Sequence, residues 1–295
     1  MKLELSNVTK TYRGKPAVSD VTMRIGPGVL GLLGPNGAGK SSLMRILATI
    51  TRPTAGSVTW NGADIAVRPA SLRRVLGYLP QDFGVYPHLS AREFLRYLAA
   101  VKGLSARSAR SRVDELLELV NLADTGSRPV GKFSGGMRQR LGIAQALLGD
   151  PEVLVVDEPT VGLDPEERMR FRNLLGDLAS DRIVILSTHI VSDIEAIADD
   201  IAVLAGGHLR WRGAPADLLR SATGTVWELV VPADAVADIR RRGMVTRTVR
   251  TAGGVRVRAV ATAPPTADAC PVEPDLEDAY MFAVGPATTQ FEVTR

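Results

Sequence analysis

A glycine-rich segment carries the strongest chemical signal in the sequence. It runs through Gly34, Pro35, Asn36, Gly37, Ala38, Gly39, Lys40, Ser41 and Ser42, and it directly follows the apolar run 29–33. Glycines let the backbone wrap closely, so that its N–H groups and the N-terminus of a following helix point at phosphate oxygens. We therefore expect this phosphate loop, residues 34–42, to hold a phosphate chain. Lys40 would neutralise the β/γ charge and the Ser41 hydroxyl would face Mg²⁺.

Two acidic residues at the end of a second apolar run supply complementary chemistry. Asp157 and Glu158 follow Val-Leu-Val-Val at 153–156 and precede Pro159. We expect Asp157 to hold Mg²⁺ through water, and Glu158 to lie beyond the γ-phosphate and polarise the attacking water. Taken alone, the two acids would be a solvated surface turn. Together with the phosphate loop, they indicate a phosphate-loop nucleoside triphosphatase.

A third motif, the signature segment 133–137, indicates which family of phosphate-loop nucleoside triphosphatases the sequence resembles. Its residues are Phe133, Ser134, Gly135, Gly136 and Met137, and with them the sequence resembles the ATP-binding-cassette family. The resemblance implies that the Ser-Gly-Gly centre of one copy covers the γ-phosphate held by the phosphate loop of another copy, through backbone N–H groups. The usual family form is Leu-Ser-Gly-Gly-Gln, so the first and last residues depart from it. By itself, Ser-Gly-Gly is also a common start of a helix.

Further positions match this family along about the first 220 residues. The resemblance implies that Tyr12 stacks on adenine, that Gln81 contacts Mg²⁺ and water, and that His189 hydrogen-bonds the γ-phosphate. Each of these residues also has an ordinary structural interpretation when it is taken singly. The run Gly-Leu-Asp-Pro at 162–165 resembles a loop that crosses the dimer interface, and equally predicts a helix start with proline at its first position. The expected catalytic residues are thus Glu158, His189 and Gln81, and the expected Mg²⁺ ligands are Ser41, Gln81 and Asp157.

These motifs need a particular set of elements to position them. Short β-like runs alternate with helical patterns, which predicts an α/β fold with a mostly parallel sheet in a phosphate-loop NTPase core. An antiparallel β subdomain, a helical subdomain insert and a small C-terminal α+β appendage complete the prediction. Strands are predicted at 3–8, 18–25, 29–33, 57–60, 76–79, 153–156, 183–187, 201–204, 227–231, 244–249 and 255–260, and helices at 93–101, 107–119 and 135–148.

The alternation of helix and strand stops near residues 221–226, which suggests a domain boundary. We predict an ATP-binding domain at 1–222, with its helical subdomain at about 88–150, and a small accessory domain at 223–295.

Apolar residues make up 45% of the chain and charged residues 23%, as in a globular protein with a sizeable core. The 36 Lys and Arg exceed the 32 Asp and Glu by only four and are spread along the chain, so no nucleic-acid partner is expected.

The sequence shows no secretory signal, no membrane-spanning run and no second cysteine, and these features bear on where the protein is located. The N-terminus has no charged-then-apolar secretory plan, and the apolar runs are far shorter than the ~20 residues of a membrane-spanning helix. The single cysteine, Cys270, cannot form an internal disulfide. The sequence therefore fits a reducing compartment, and any contact with a membrane would be made through a partner.

The family resemblance implies a motor function. ATP and Mg²⁺ would be the cofactors, and the partners would be a transmembrane permease subunit and a second copy of the chain or a homologous cassette. In the family, segment 82–90 forms the groove for a coupling helix of the permease, where Phe83, Val85 and Tyr86 would supply apolar contact. Taken singly, each of these three residues could equally pack inside the protein. The ending 273–281 resembles the last helix of cassettes that serve drug, lipid or polysaccharide exporters. We expect an export ATPase at the cytoplasmic face of the plasma membrane.

Two other function classes compete with the transport ATPase. Cassette ATPases of DNA repair or of ribosomes generally carry long coiled-coil insertions, zinc-binding cysteines or two cassettes, and the sequence shows none of these. A regulatory module that binds ATP without hydrolysis would not need Glu158 and His189. The transport interpretation is therefore favoured.

Overall fold

Three β-sheets organise residues 1–160 and 162–285, which are the residues that the computed structural model describes. Strands and helices are numbered in chain order. The antiparallel first sheet contains β1 (Leu3–Tyr12), β2 (Lys15–Ile25), β4 (Ala55–Trp60) and β5 (Ala63–Asp64), in the order β2-β1-β4-β5. A two-residue turn of Asn61 and Gly62, both with positive φ, joins β4 to β5, which confirms the hairpin expected of an Asn-Gly pair.

The central sheet has both faces covered, and this explains its continuous apolar strands. It contains β3 (Gly28–Leu33), β6 (Leu76–Leu79), β7 (Val153–Asp157), β8 (Ile183–Thr188), β9 (Asp200–Ala205) and β10 (His208–Gly213), in the order β10-β9-β3-β8-β7-β6. All neighbours are parallel except β10, which pairs antiparallel with β9 at one edge. Parallel strands bury both faces under helices and therefore need apolar side chains throughout. The predicted mostly parallel core is confirmed.

Ten α-helices accompany the sheets in the described residues. They are α1 (Lys40–Leu47), α2 (Pro69–Arg73), α3 (Ala91–Val101), α4 (Ala106–Leu119), α5 (Gly135–Leu147), α6 (Pro165–Leu178), α7 (Val191–Glu195), α8 (Pro215–Ser221), α9 (Val236–Arg242) and α10 (Leu276–Val284). Side chains cap several of their N-termini: Ser90 forms a reciprocal capping box with Glu93, and Ser134 and Asp164 cap α5 and α6. Helices α3, α4 and α5 form the helical insert between β6 and β7.

A third sheet follows the central sheet in the chain. It is antiparallel and contains β11 (Val226–Val231), β12 (Met244–Thr251), β13 (Gly254–Val260) and β14 (Cys270–Pro271), in the order β12-β13-β11-β14. Helix α9 packs on one face, where Val236 and Ile239 meet Leu229 and Val257. Helix α10 then returns to α7, α8, β9 and β10, and buries its apolar face in the core of the preceding elements.

All the predicted strands and helices are present, and the differences lie mainly at their ends. Strand β2 begins at Lys15 rather than at residue 18, because its ladder with β1 continues through an exposed, polar hairpin. The Asn-Gly pair indicated a hairpin without a range for β5, and the sequence pattern missed β10 and β14; all three strands are short or lie at sheet edges. Within residues 1–160 and 162–285, no helix combines the length and apolarity that crossing a bilayer requires. The domain limits 1–222, 88–150 and 223–295 stay proposals, and residues 286–295 lie outside the described part.

Candidate active site

A cavity of about 620 Å³ opens at the carboxyl ends of the parallel strands. Most of the site residues expected from the sequence lie in its wall. The lining consists of Ala17, Pro35, Asn36, Gly37, Ala38, Gly39, Lys40, Ser41, Ser42, Gln81, Glu158 and His189. The fold therefore brings the phosphate loop together with an acid, an amide and an imidazole from three other segments.

The phosphate loop depends on glycine at two close approaches. Gly39 has a φ of 104°, and a Cβ there would overlap the carbonyl oxygen of Ala17. A Cβ on Gly34 would overlap the carbonyl oxygen of Leu204. Helix α1 begins at Lys40, within this loop, with no side-chain cap and no acidic residue in its first turn. Its N–H groups and its positive dipole end are thus left for an anion in the cavity.

Three ionisable side chains meet in the wall of the cavity. Lys40 Nζ lies 3.6 Å from Glu158 Oε1, and both side chains are less than a tenth exposed. On the other side of the carboxylate, His189 Nδ1 lies 2.8 Å from Oε2. Lys40 Nζ also donates to the carbonyl oxygen of Gly34 over 2.6 Å. The arrangement places a carboxylate between a cation and an imidazole, and a phosphate group that binds Lys40 must compete with that carboxylate.

The neighbouring acid, Asp157, is buried behind this wall. It is 2% exposed, and its Oδ1 accepts a short hydrogen bond from the Ser187 hydroxyl of the adjacent strand. Two effects raise the pKa of the nearby Tyr78: burial is the larger, and the negative charge of Asp157 is the second. A carboxylate, the Ser41 hydroxyl and the Gln81 amide are the hard oxygen donors that suit Mg²⁺, which commonly binds through few protein groups together with water and phosphates.

Besides Gly34 and the buried Asp157, two predicted groups do not line the cavity. Tyr12 ends β1 with its ring 40% exposed and with the Lys10 ammonium 5.1 Å from the ring centroid. Ser134, Gly135 and Gly136 lie at the N-terminus of α5, where the Ser134 hydroxyl accepts from the Met137 N–H over 3.2 Å. The signature segment therefore lies outside the cavity that its own chain forms.

Sequence reasoning missed three features of the site. Ala17 supplies lining and a close carbonyl oxygen, but a lone alanine carries no chemical pattern. Lys40 and Glu158 form an ion pair, although each was expected to serve the nucleotide directly. Ser187 binds Asp157 because β7 and β8 are neighbours, in a register that pairs these two residues. The contact of Ser187 with Asp157 could have been predicted if the order of these two strands had been known.

Comparisons with known proteins agree with this geometry. Residues 18–161 match the family model described as ABC transporter. The Nod factor export ATP-binding protein I of Rhizobium etli is 37% identical over 224 residues, which cover 75% of this chain and 71% of that protein. The daunorubicin resistance ATP-binding protein DrrA3 of Streptomyces coeruleorubidus is 39% identical over 227 residues, with coverage of 75% and 71%. A solved dimeric ATP-binding cassette, in a post-hydrolysis state bound to ADP and Pi, has a TM-score of 0.67 and 27% identity, over 72% of this chain and 98% of that one.

Proposed function

The chain belongs to the ABC transporter family as an ATP-binding, ATP-hydrolysing subunit, and from this premise we propose that it drives export through a separate transmembrane permease. The contact of Glu158 with both Lys40 and His189, inside the cavity walled by the phosphate loop, is the observation that carries the proposal. It supports the proposal because these three side chains would supply a base, a phosphate-binding cation and a second polar group in one cluster. Binding and hydrolysis then alternate to open and close a pair of cassettes.

Within one chain, we propose that the phosphate loop and α1 bind the β- and γ-phosphates of ATP. The uncapped N-terminus of α1 and the buried Lys40 are both suited to negative charge. Tyr12 would stack on adenine from the end of β1, where its ring is exposed. Lys40 would then exchange its contact with Glu158 for the phosphates, and this exchange frees the carboxylate to polarise water. His189 would hydrogen-bond the γ-phosphate.

Mg²⁺ fits the donors that surround the phosphate loop. We propose that Ser41, Gln81 and Asp157 hold it, with Asp157 acting through water because that carboxylate is buried behind the cavity wall. The ion would neutralise charge on the phosphate oxygens during transfer to water. The Ser187 hydroxyl donates to Asp157 and would orient it for this role.

The signature segment is proposed to act on the partner cassette. Ser134, Gly135 and Gly136 lie outside their own chain's cavity at the N-terminus of α5, where Ser134 and Gly135 are exposed and Gly136 is buried. The N–H groups of this N-terminus would bind the γ-phosphate of a second copy or of a homologous cassette. Each dimer would then hold two composite sites. A single chain would contribute half of each site.

The permease is proposed to dock on an aromatic patch made of Phe83, Tyr86, Phe94 and Tyr97. The ring centroids lie 5.8 Å apart for Phe83–Phe94 and 5.7 Å apart for Tyr86–Tyr97. Tyr86 and Tyr97 are each about half exposed, whereas Phe83 and Val85 pack against the core beneath them. Amphipathic rings on a rigid base are suited to bind an apolar segment of a partner. The chain would then lie at the cytoplasmic face of the plasma membrane.

Co-expression with its permease tests this proposal. The chain should co-purify with a multi-span membrane protein, and ATP-driven efflux from cells should be lost in Glu158→Gln. Tyr86→Ala and Tyr97→Ala should reduce the amount of permease recovered, whereas Val67→Ala, at an exposed apolar residue elsewhere, should not. Stoichiometric binding to ribosomes or DNA, with no membrane protein recovered, would reject the transport function.

A further inference from the structure

A buried hydrogen bond joins the segment after Glu158 to the helix after His189. The Thr160 hydroxyl donates to Asp193 Oδ2 over 2.6 Å, and the two residues are 1% and 0% exposed. Thr160 lies two residues beyond Glu158, and Asp193 lies four residues beyond His189. Neither Thr160 nor Asp193 lines the cavity, so any effect that they have on hydrolysis must pass through other residues.

Packing alone gives no reason for a carboxylate at position 193. Its Oδ1 accepts no hydrogen bond from the described residues, and the nearest cations are Arg168 Nε at 3.9 Å and Arg172 Nη1 at 4.0 Å. A buried carboxylate with one short hydrogen bond and two long ionic contacts is less favourable than an apolar side chain of similar volume. The hydrogen bond to Thr160 is therefore the contact that accounts for an acidic residue at position 193.

The backbone of Glu158 needs support from both sides. Its φ is 50°, in the left-handed region that a residue with a Cβ adopts only under restraint. On the N-terminal side, the Glu158 N–H donates to the Ser187 carbonyl oxygen of β8 over 3.0 Å. On the C-terminal side, Pro159 has no N–H to donate, and the Thr160 hydroxyl is the group that ties the chain to α7.

We propose that Asp193 is a positioning residue which, through Thr160, holds the Glu158 carboxylate against His189 in the geometry that activates water. The inference rests on the roles proposed above for Glu158 and His189. Loss of the link lets the strained segment relax, so the 2.8 Å contact between these two side chains is no longer maintained. Binding of ATP by the phosphate loop does not depend on the link.

Thr160→Val tests the link because it removes the donor and keeps the shape. We expect kcat for ATP hydrolysis to fall about tenfold, with KM and the affinity for a fluorescent ATP analogue within about twofold of wild type. Thr160→Ser keeps the hydroxyl and should restore turnover. The chain offers a matched control in Thr246, which donates to the buried Asp278 over 2.8 Å beside Arg258 in the third sheet. Thr246→Val should lower the melting temperature and leave kcat unchanged.

Three results would overturn the inference. Thr160→Val could turn over as fast as Thr160→Ser, or Thr246→Val could lose as much kcat as Thr160→Val. Thr160→Val could also slow the residual hydrolysis of Glu158→Gln by a further factor of about ten, although a residue that acts through Glu158 should add nothing there. Wild-type turnover in Glu158→Gln alone would instead reject the proposed base, so the two failures are distinguishable.

Discussion

Glu158→Gln should change ATP binding and ATP hydrolysis in opposite directions. The substitution keeps the shape and removes the charge that faces Lys40 at 3.6 Å. Coulomb's law at that separation, with an effective dielectric constant of about 20, gives an upper limit of about 4–5 kcal/mol. Desolvation of the two buried groups offsets most of this attraction, so we expect a net of about 1–2 kcal/mol. A phosphate chain would no longer have to displace the carboxylate from Lys40, and ATP affinity should rise about tenfold.

Turnover should fall in the same variant, because the group that polarises water is gone. General bases contribute a factor of about 100 to 10,000, and we expect a loss in that range for single-turnover phosphate release. Fluorescent-nucleotide titration measures the affinity, and Asp200→Asn is the control. That variant removes a carboxylate from the Arg212 ion pair at the start of β9, away from the cavity, and should bind ATP like wild type. Unchanged affinity in Glu158→Gln would refute the competition for Lys40, and near wild-type turnover would refute the base.

Three further outcomes follow from the structure. Lys40→Ala should bind ATP at least about 100-fold more weakly, because a buried charge at the phosphates is lost; affinity within about twofold of wild type would contradict its role. Gly39→Ala should lower both the melting temperature and the ATP affinity, because a Cβ at this position overlaps the Ala17 carbonyl oxygen. Gly14 is the control, since its φ is also positive but a Cβ there would meet open space, so Gly14→Ala should cost only about 1–2 kcal/mol of stability. Equal losses of stability in the two variants would contradict the overlap at Gly39. Burial raises the pKa of Asp278, but hydrogen bonds from an arginine, the backbone and a threonine outweigh it and hold the pKa below the ordinary 3.8. A depressed pKa in the folded state stabilises the protein above the unfolded pKa, and this stabilisation is lost as pH falls through the folded pKa. The melting temperature of wild type should therefore exceed that of Asp278→Asn at neutral pH, and the difference between the two melting temperatures should shrink below about pH 4.

Local sequence was sufficient for the parts of the site that are contiguous in the chain. The phosphate loop combines its glycines, its lysine and the start of α1 in nine residues, so that spacing alone indicates its chemistry. The carboxyl ends of β7 and β8 could likewise be placed at one sheet edge once both runs were recognised as parallel strands. The Ser134 and Asp164 caps were also predictable, because a cap needs only the few residues around it.

Contacts between distant segments could not be predicted in the same way. The Glu158 contact with Lys40 depends on side-chain rotamers and on a left-handed backbone at residue 158, neither of which has a sequence pattern. The Thr160–Asp193 link joins residues 33 positions apart and follows from the packing of α7 against β8, the strand beside β7. Strand β10 was missed because its arginines and glycine weaken the alternating signal at a sheet edge.

The return of α10 has a consequence for how the chain is made. Trp211, Leu218 and Ala222 belong to the same apolar core as Tyr280 and Ala283, and α10 packs on β10 and α8, which carry Trp211 and Leu218. On the ribosome, these three side chains emerge about 60 residues before the helix that covers them, at synthesis rates of roughly 5–20 residues per second. Residues 1–222 are therefore synthesised several seconds before α10 and have an uncovered apolar surface during that time, which a chaperone can bind. A chain stopped at residue 222 would keep that surface exposed for its whole lifetime.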